Sequence, residues 1–193
     1  SYLSKNEKYR VIAINEDGKN TLFIKDLVTN SDVYFPEILD GDIKGVSFSE
    51  SEKKIRLTIG TSKSPNNIYV YEIASEKLKQ LTKTLNPEIN ANDMVTAEIV
   101  RYESFDGLEI PAIYYKPLDA TKQNKVPALV WVHGGPGGQS RTGYSSFIQY
   151  LVNHGYAILA VNNRGSSGYG KTFYKMDDLN HGDKDLKDCI WGK

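Results

Sequence analysis

Up to about residue 85, short runs of alternating apolar and polar residues are separated by turn residues, a pattern typical of antiparallel strands. Residues 9–15 and 21–27 flank the dipeptide Asp17-Gly18, which favours a tight hairpin turn. A further strand is predicted at residues 32–35. The same order of elements recurs about 45 residues later, at residues 54–59, 67–73 and 77–81.

This recurrence predicts two four-stranded antiparallel units of the size of β-propeller blades. Residues 45–49 open the second unit, whereas the first unit lacks an opening strand. Because a blade buries its faces against neighbouring blades, we expect the chain to be cut at its front end. An antiparallel meander with accidental periodicity is the alternative interpretation.

A polar connector at residues 82–97 marks a domain boundary, and the pattern changes after it. Residues 98–105 and 108–115 predict a hairpin that turns at Asp106-Gly107. We therefore divide the chain into residues 1–85 and 86–193.

The remainder of the second part has the pattern of an α/β sheet. The apolar run at residues 126–132 is typical of a parallel strand that is buried on both faces. Helical spacing predicts a helix at residues 145–155 that ends at a glycine, and a second buried strand follows at 156–161. Residues 183–191 begin another helix, which we expect to be cut at residue 193.

Composition narrows the class of protein. The 193 residues include 24 Lys and Arg against 24 Asp and Glu, so no excess of positive charge favours nucleic acid or acidic lipid. Hydrophobic residues make up 39% of the chain, yet no apolar run is long enough to span a membrane. Residues 1–8 lack the pattern of a signal peptide, which favours the cytoplasm, although a missing front end leaves the localisation open.

A glycine-rich loop follows the first buried strand and carries the candidate chemistry. Its residues are His133, Gly134, Gly135, Pro136, Gly137 and Gly138. Glycines let the backbone approach a ligand and present N–H groups to a developing oxyanion, the role of the loop at this position in α/β-hydrolases. A tight turn without a ligand is the alternative. Neither a Gly-x-Gly-x-x-Gly motif nor a P-loop is present.

The three histidines and the cysteine are not expected to be catalytic. His133 is expected to hold the shape of the glycine loop rather than act as the base, because the hydrolase base follows the nucleophile and the acid in the chain. His154 is expected to cap a helix, and His181 lies in a polar loop with no assigned partner. We therefore predict no metal site and no cofactor. Cys189 is predicted to be a buried thiol.

These motifs together resemble the prolyl oligopeptidase family of serine peptidases, and in particular its acylaminoacyl-peptidase and dipeptidyl-aminopeptidase-like branch. The resemblance is carried by the His-Gly-Gly-Pro-Gly-Gly loop and by residues 86–89, 104–112 and 150–173. It implies propeller blades at residues 1–85 and the N-terminal part of an α/β-hydrolase fold at residues 86–193.

The resemblance also implies hydrolysis of short peptides through a Ser-Asp-His triad, with a propeller that excludes large folded proteins. Carried over to this chain, Gly135 offers its backbone N–H to the tetrahedral intermediate, while His133, Gly134 and Pro136 shape the loop. The loop at residues 163–170 lies beside the cleft, with Arg164 available to pair with a carboxylate.

One departure from the family is decisive for activity. No Gly-x-Ser-x-Gly motif occurs in the chain, so the nucleophile, the acid and the base are all expected beyond residue 193. An oxyanion loop without a nucleophile cannot form an acyl-enzyme, and we expect the chain alone to be inactive.

Two rival functions stay open. Proline iminopeptidases use a similar glycine loop, but an Asp-Gln-Arg-Gly-like segment and the lack of a propeller distinguish them from this chain. A non-catalytic interaction module is the second rival. Because a sheet stopped after its first strands leaves apolar faces and open edges, we also expect self-association.

Overall fold

The computed structural model describes residues 1–38 and 40–193. Within these residues, twelve strands form three four-stranded sheets in which antiparallel pairing predominates. The three α-helices of this described part are short, and all of them lie in the second half of the chain. None of them is long and apolar enough to cross a membrane.

The first sheet has four antiparallel strands in chain order. They are β1 (Tyr2–Leu3), β2 (Tyr9–Glu16), β3 (Lys19–Asp26) and β4 (Ser31–Val33). Asp17 and Gly18 join β2 to β3 with φ values of 49° and 80°, as the predicted two-residue hairpin turn requires. The prediction that this unit lacks an opening strand is wrong, because β1 pairs with β2. Two residues are too few to show a strand period.

The second sheet repeats the arrangement of the first. Its strands are β5 (Gly41–Phe48), β6 (Lys54–Thr61), β7 (Asn67–Glu72) and β8 (Lys77–Gln80). Strand β2 begins at Tyr9 and β6 at Lys54, 45 residues later, so the predicted recurrence of elements is confirmed.

A single apolar cluster holds these two sheets together. It takes Val11 and Ile24 from the first sheet and Ile55, Leu57 and Tyr71 from the second. On each strand these are alternate residues, because successive side chains of a strand point to opposite faces. The two sheets therefore share one core.

The third sheet has the strand order β11-β12-β10-β9. Its strands are β9 (Glu98–Glu103), β10 (Glu109–Tyr115), β11 (Ala128–Val132) and β12 (Ala157–Val161). Strands β9 and β10 form the predicted hairpin, and β11 and β12 are parallel to each other. A short 3-10 helix, Ala91–Asp93, lies in the connector before β9.

Helices cover both faces of this sheet. Helix α1 (Ser146–Asn153) connects β11 to β12 and packs on one face through Ile148 and Val152, which confirms the predicted strand–helix–strand unit. A second helix, α2 (Gly170–Lys175), was not predicted. Helix α3 (Lys184–Trp191) brings the buried thiol of Cys189 to the opposite face.

Strand β11 differs from its prediction. The apolar run was expected to be buried on both faces, yet the side chains of Leu129, Val130 and Val132 are 39%, 42% and 56% exposed. The physical reason is its place in the sheet: within the described residues, β11 pairs with β12 on one side and forms an edge on the other.

Polar side chains tie the third sheet to the first two. The fully buried carboxylate of Asp42 accepts hydrogen bonds from Lys44 and from Arg141, whose Nη2 lies 3.1 Å from Oδ1. Burial raises the pKa of Asp42, but these hydrogen bonds outweigh it and hold that pKa below its ordinary value. On α1, Gln149 donates to the carbonyl oxygen of Ser62 at 2.8 Å. The parts of the chain are therefore joined by buried polar contacts.

Candidate functional site

The glycine loop, residues 133–138, lies at the carboxyl end of β11. A second loop, residues 162–169, follows the parallel strand β12. Because β11 and β12 run in the same direction, both loops lie at the same edge of the sheet, where α/β folds place their ligand sites. The sheet thus brings together the two segments that the sequence singled out.

Gly135 has a backbone conformation that favours glycine. Its φ is 135°, and a Cβ at this position would lie 2.7 Å from the backbone nitrogen of Gly138. A larger residue would therefore strain the backbone and push the loop open.

The polar groups of the loop are used unequally. The carbonyl oxygen of Gly138 accepts hydrogen bonds from the backbone nitrogen of Ser167 at 2.9 Å and from its hydroxyl at 3.2 Å. Among the described residues, no backbone carbonyl accepts a hydrogen bond from the N–H of Gly135. The N–H groups of Gly134, Gly137 and Gly138 likewise have no backbone acceptor in the described part of the chain.

His133 lies between the two loops. Its Nδ1 is 3.1 Å from the carbonyl oxygen of Gly134, and its Nε2 is 2.8 Å from the hydroxyl oxygen of Ser166. The Ser166 hydroxyl also donates to the carbonyl oxygen of Asn163 at 2.6 Å. The histidine side chain therefore links the glycine loop to the loop after β12.

This serine–histidine contact does not make a nucleophile. The side chain of Ser166 is fully buried, and its proton is donated to a backbone carbonyl. A nucleophilic serine needs an accessible oxygen and a base that accepts its proton. Ser166 has no accessible oxygen and donates its proton to Asn163, so its contact with His133 is structural.

Tyr174 of α2 forms a wall beside the loop. A Cβ at Gly137 would lie 2.6 Å from Cε2 and 2.7 Å from the hydroxyl oxygen of Tyr174, so the ring packs directly on that glycine. Sequence analysis missed this residue because it did not predict α2. With six residues and no side-chain N-cap, α2 lacks the signals that reveal a helix.

A buried ionic network anchors the loop after β12. The guanidinium of Arg164 donates to both oxygens of Asp106, at 2.8 and 2.9 Å, and to both oxygens of Asp188, at 2.8 and 2.9 Å. Asp188 is fully buried and also accepts from the hydroxyl of Ser104 at 2.6 Å. The Arg164 hydrogen bonds lower the pKa of Asp106 to about 2, and the two carboxylates raise the pKa of Arg164.

The same network joins three separate parts of the chain. Asp106 lies in the β9–β10 turn, Asp188 in α3 and Arg164 in the loop after β12. The expected pairing of Arg164 with a carboxylate is confirmed, but it involves two partners. Neither partner was found from the sequence, because 58 and 24 residues separate them from Arg164.

The other predicted side chains have mixed outcomes. His154 is the C-cap of α1, and its Nδ1 lies 2.8 Å from the carbonyl oxygen of Tyr150, which confirms the capping prediction. Burial raises the pKa of the Cys189 thiol to about 11, as expected for an unreactive thiol. The sequence assigned no partner to His181, and the structure supplies two: its Nδ1 contacts Asp177 at 3.2 Å and Asp185 at 3.0 Å.

Comparison with known proteins supports the resemblance. Residues 142–192 match the sequence profile described as the prolyl oligopeptidase family. The chain is 30% identical over 139 residues to dipeptidyl aminopeptidase BIII of Pseudoxanthomonas mexicana, covering 69% of this chain and 20% of that protein. It is 36% identical over 84 residues to the acylamino-acid-releasing enzyme of Sus scrofa, covering 44% of this chain and 12% of that protein.

A solved structure agrees with these relatives. Acylaminoacyl peptidase of Pyrococcus horikoshii superposes with a TM-score of 0.76 and 25% identity, covering 95% of this chain and 28% of that one. The chain thus spans a fifth or less of the length of the two curated relatives named above. On the sequence profile, these relatives and this structural match, the chain belongs to the prolyl oligopeptidase family.

Proposed function

We propose that the chain is part of a serine peptidase that hydrolyses short peptides through an acyl-enzyme. Membership of the prolyl oligopeptidase family supports the reaction class, and the names of the relatives, which include an aminopeptidase and an acylamino-acid-releasing enzyme, support peptide substrates. Such a reaction passes through a tetrahedral intermediate whose oxyanion needs hydrogen-bond donors.

Gly135 is the donor that we assign to this intermediate. The observation that carries the proposal is its N–H, which has no backbone acceptor among the described residues and belongs to a loop at the carboxyl end of β11. The Gly138 carbonyl at the other end of the loop is occupied. In this proposal His133 and Gly134 maintain the loop, since the contact of His133 with Ser166 holds it against the neighbouring segment.

The nucleophile is assigned to residues outside this chain. No Gly-x-Ser-x-Gly motif occurs among the 193 residues, and the hydroxyl of Ser166 is buried and committed to Asn163. The acid and base of the triad are assigned outside the chain for the same reason. The chain alone is therefore inactive in this proposal.

The proposal also covers the domain organisation. Residues 1–85 are assigned to propeller blades because two four-stranded sheets repeat the same strand order. Residues 86–193 are assigned to a hydrolase domain because a parallel strand–helix–strand unit precedes the loop segment at residues 162–169. In this arrangement the blades restrict the substrates to short peptides.

A fluorophosphonate probe tests the proposal, because it labels only an activated serine. We expect no labelling of the 193-residue chain, and stoichiometric labelling of a longer polypeptide that adds the encoded flanking residues. In that longer polypeptide, the Cβ added by Gly135→Ala collides with the backbone nitrogen of Gly138 and moves the Gly135 N–H out of position. We expect kcat for an acyl-peptide nitroanilide to fall by about 10²–10³-fold, the cost of losing the contribution of one oxyanion donor.

Gly155→Ala is the matched control. Gly155 also has a positive φ, 84°, but it lies at the end of α1 with no atom near its Cβ position. The two variants therefore share the backbone strain and differ in the loop. Labelling of the short chain, or equal loss of kcat in both variants, would contradict the proposal.

A further inference from the structure

A cluster of three side chains, two between α2 and α3 and one in the first turn of α3, is not used by the proposed peptidase reaction. Asp177, His181 and Asp185 are spaced four residues apart and offer three ligand atoms that lie within 4.8 Å of one another. Nδ1 of His181 is 3.2 Å from Oδ2 of Asp177 and 3.0 Å from Oδ2 of Asp185. Imidazole nitrogens and carboxylate oxygens are ligands that Zn²⁺ accepts.

The charges in this cluster are not balanced. The side chains of Asp177 and Asp185 are only 8% and 12% exposed, and within residues 1–38 and 40–193 neither forms an ion pair with a lysine or arginine. Their shared partner is His181, which carries at most one positive charge. Its Nδ1 has at most one hydrogen, so it donates to only one of the two carboxylates at a time. A divalent cation satisfies both.

A second observation points to a ligand independently of this spacing. Oδ1 of Asp177 is buried and has no hydrogen-bond partner among the described residues. It belongs to the same carboxylate whose other oxygen, Oδ2, lies 3.2 Å from Nδ1 of His181. Buried polar atoms are rarely left unpaired, and such an atom in a folded protein calls for a partner that is missing from the structure.

We infer that Asp177, His181 and Asp185 form a binding site for a divalent transition-metal ion of the Zn²⁺ class. Two ligand atoms that each lie about 2.1 Å from one ion, at tetrahedral or octahedral angles, are about 3.0–3.4 Å apart. The observed Nδ1–Oδ2 distances of 3.0 and 3.2 Å fall in this range. The nitrogen ligand favours Zn²⁺ over Mg²⁺ or Ca²⁺, which prefer oxygen.

The site is structural in this inference and lies next to the loop after β12. A Cβ at Gly165 would collide with the side chain of Asp177, so the two residues are in close contact. Gly165 immediately precedes Ser166, the partner of His133. A bound ion therefore holds residues 177–185 against the loop after β12, which in turn contacts the glycine loop through Ser166 and His133. With a side chain that is 65% exposed, His181 provides the route for the ion.

The inference is tested by treating the chain with a chelator and titrating it with Zn²⁺ in a calorimeter, which measures the number of ions bound. The melting temperature is then measured with and without the ion. We expect one ion per chain and a melting temperature that rises with Zn²⁺ but not with Mg²⁺. His181→Ala, which removes an exposed side chain, is expected to weaken binding by more than about 100-fold, because even the outer-shell partners of metal ligands are worth about 10–100-fold.

Asp178→Asn is the matched control, since Asp178 is an exposed carboxylate adjacent to the cluster. It is expected to bind Zn²⁺ like the unmodified chain, and Asp185→Asn is expected to behave like His181→Ala. Failure of the unmodified chain to bind stoichiometric Zn²⁺ overturns the inference. Equal binding by the chain and by His181→Ala also overturns it, because the ion then lies elsewhere.

Discussion

The first two sheets and the third sheet are held in place by different interactions. Between the first two sheets lies a continuous apolar cluster that includes the fully buried Ile55 and Leu57. The loop after β12 depends instead on Arg164, which lies between two carboxylates and joins three separate segments. One region is therefore stabilised mainly by burial, and the other is also positioned by charge.

This difference has a functional meaning. Hydrophobic burial is non-directional and tolerates small shifts of the packed elements. Charge-assisted hydrogen bonds have fixed geometry, because the planar guanidinium must meet each carboxylate in the same plane. The directional contacts occur where the loop at residues 162–169 supports the glycine loop, which is where a reaction of the proposed kind needs precise positions.

The largest effect is expected from Arg164→Met. Removal of the guanidinium leaves the fully buried carboxylate of Asp188 without its charged partner, which costs about 3–5 kcal/mol. Urea unfolding measures the loss. Arg101→Met is the control, because Arg101 pairs with Asp17 and Glu109 at the surface, and such pairs contribute about 1 kcal/mol or less. If Arg164→Met and Arg101→Met lower the free energy of unfolding equally, the burial of the Arg164 ion pairs makes no difference to stability.

A somewhat smaller effect is expected from Leu57→Ala in the apolar cluster. Leu57 is fully buried between the first two sheets, and its truncation removes apolar contacts and leaves a cavity. We expect a loss of about 3 kcal/mol by urea unfolding, within the range of buried leucines. Leu81→Ala is the control, because that leucine is exposed and its truncation is expected to change stability by about 0.5 kcal/mol or less. Equal changes in the free energy of unfolding for the two leucine variants would show that burial in the apolar cluster does not stabilise the first two sheets.

The sequence predicted elements whose signals are local. Helix α1 was found because its apolar period and the glycine after its end lie within eleven residues. The glycine loop was found because it directly follows an apolar strand. The four-residue spacing of Asp177, His181 and Asp185 was not recognised from the sequence, because His181 was placed in a polar loop and was given no partner.

The features that escaped prediction depend on tertiary structure. The exposure of β11 follows from strand order, which the apolar run at residues 128–132 does not encode. The partners of Arg164 come from a turn and a helix that lie far away in the chain. Local patterns give the elements and the type of loop chemistry, whereas the side chains that hold the loop become visible only when the sheet brings them together.

The pH dependence of stability gives a smaller effect in the charged region. Ionised Asp106 pairs with Arg164, and its pKa is about 2 in the folded chain instead of 3.8. A lowered folded-state pKa means that the pair stabilises the fold above about pH 4 and that this contribution is lost as the pH falls toward 2. Because the Asp106 side chain is partly exposed, Asp106→Asn is expected to cost about 1 kcal/mol or less at pH 7.

Unfolding midpoints measured from pH 7 to pH 2 check this prediction. The difference between the unmodified chain and Asp106→Asn is expected to be constant down to about pH 5 and to shrink below pH 4. Asp119→Asn is the control, since Asp119 is an exposed carboxylate with no ion pair in the described part of the chain. A difference for Asp106→Asn that grows at low pH contradicts the assigned pairing.

The smallest effect on stability, but a clear effect on association, is expected at the edge of the third sheet. Val130 lies on β11, which forms a sheet edge within residues 1–38 and 40–193 and exposes apolar side chains; both features favour pairing with a second copy. Val130→Lys is expected to change the unfolding free energy by about 0.5 kcal/mol or less and to shift the chain toward monomer in sedimentation equilibrium. Phe23→Lys is the control, because Phe23 is also an exposed apolar residue but lies on β3, which is paired on both sides. If Phe23→Lys separates associated copies into monomers and Val130→Lys does not, the copies associate through the first sheet and the edge of β11 is not the cause.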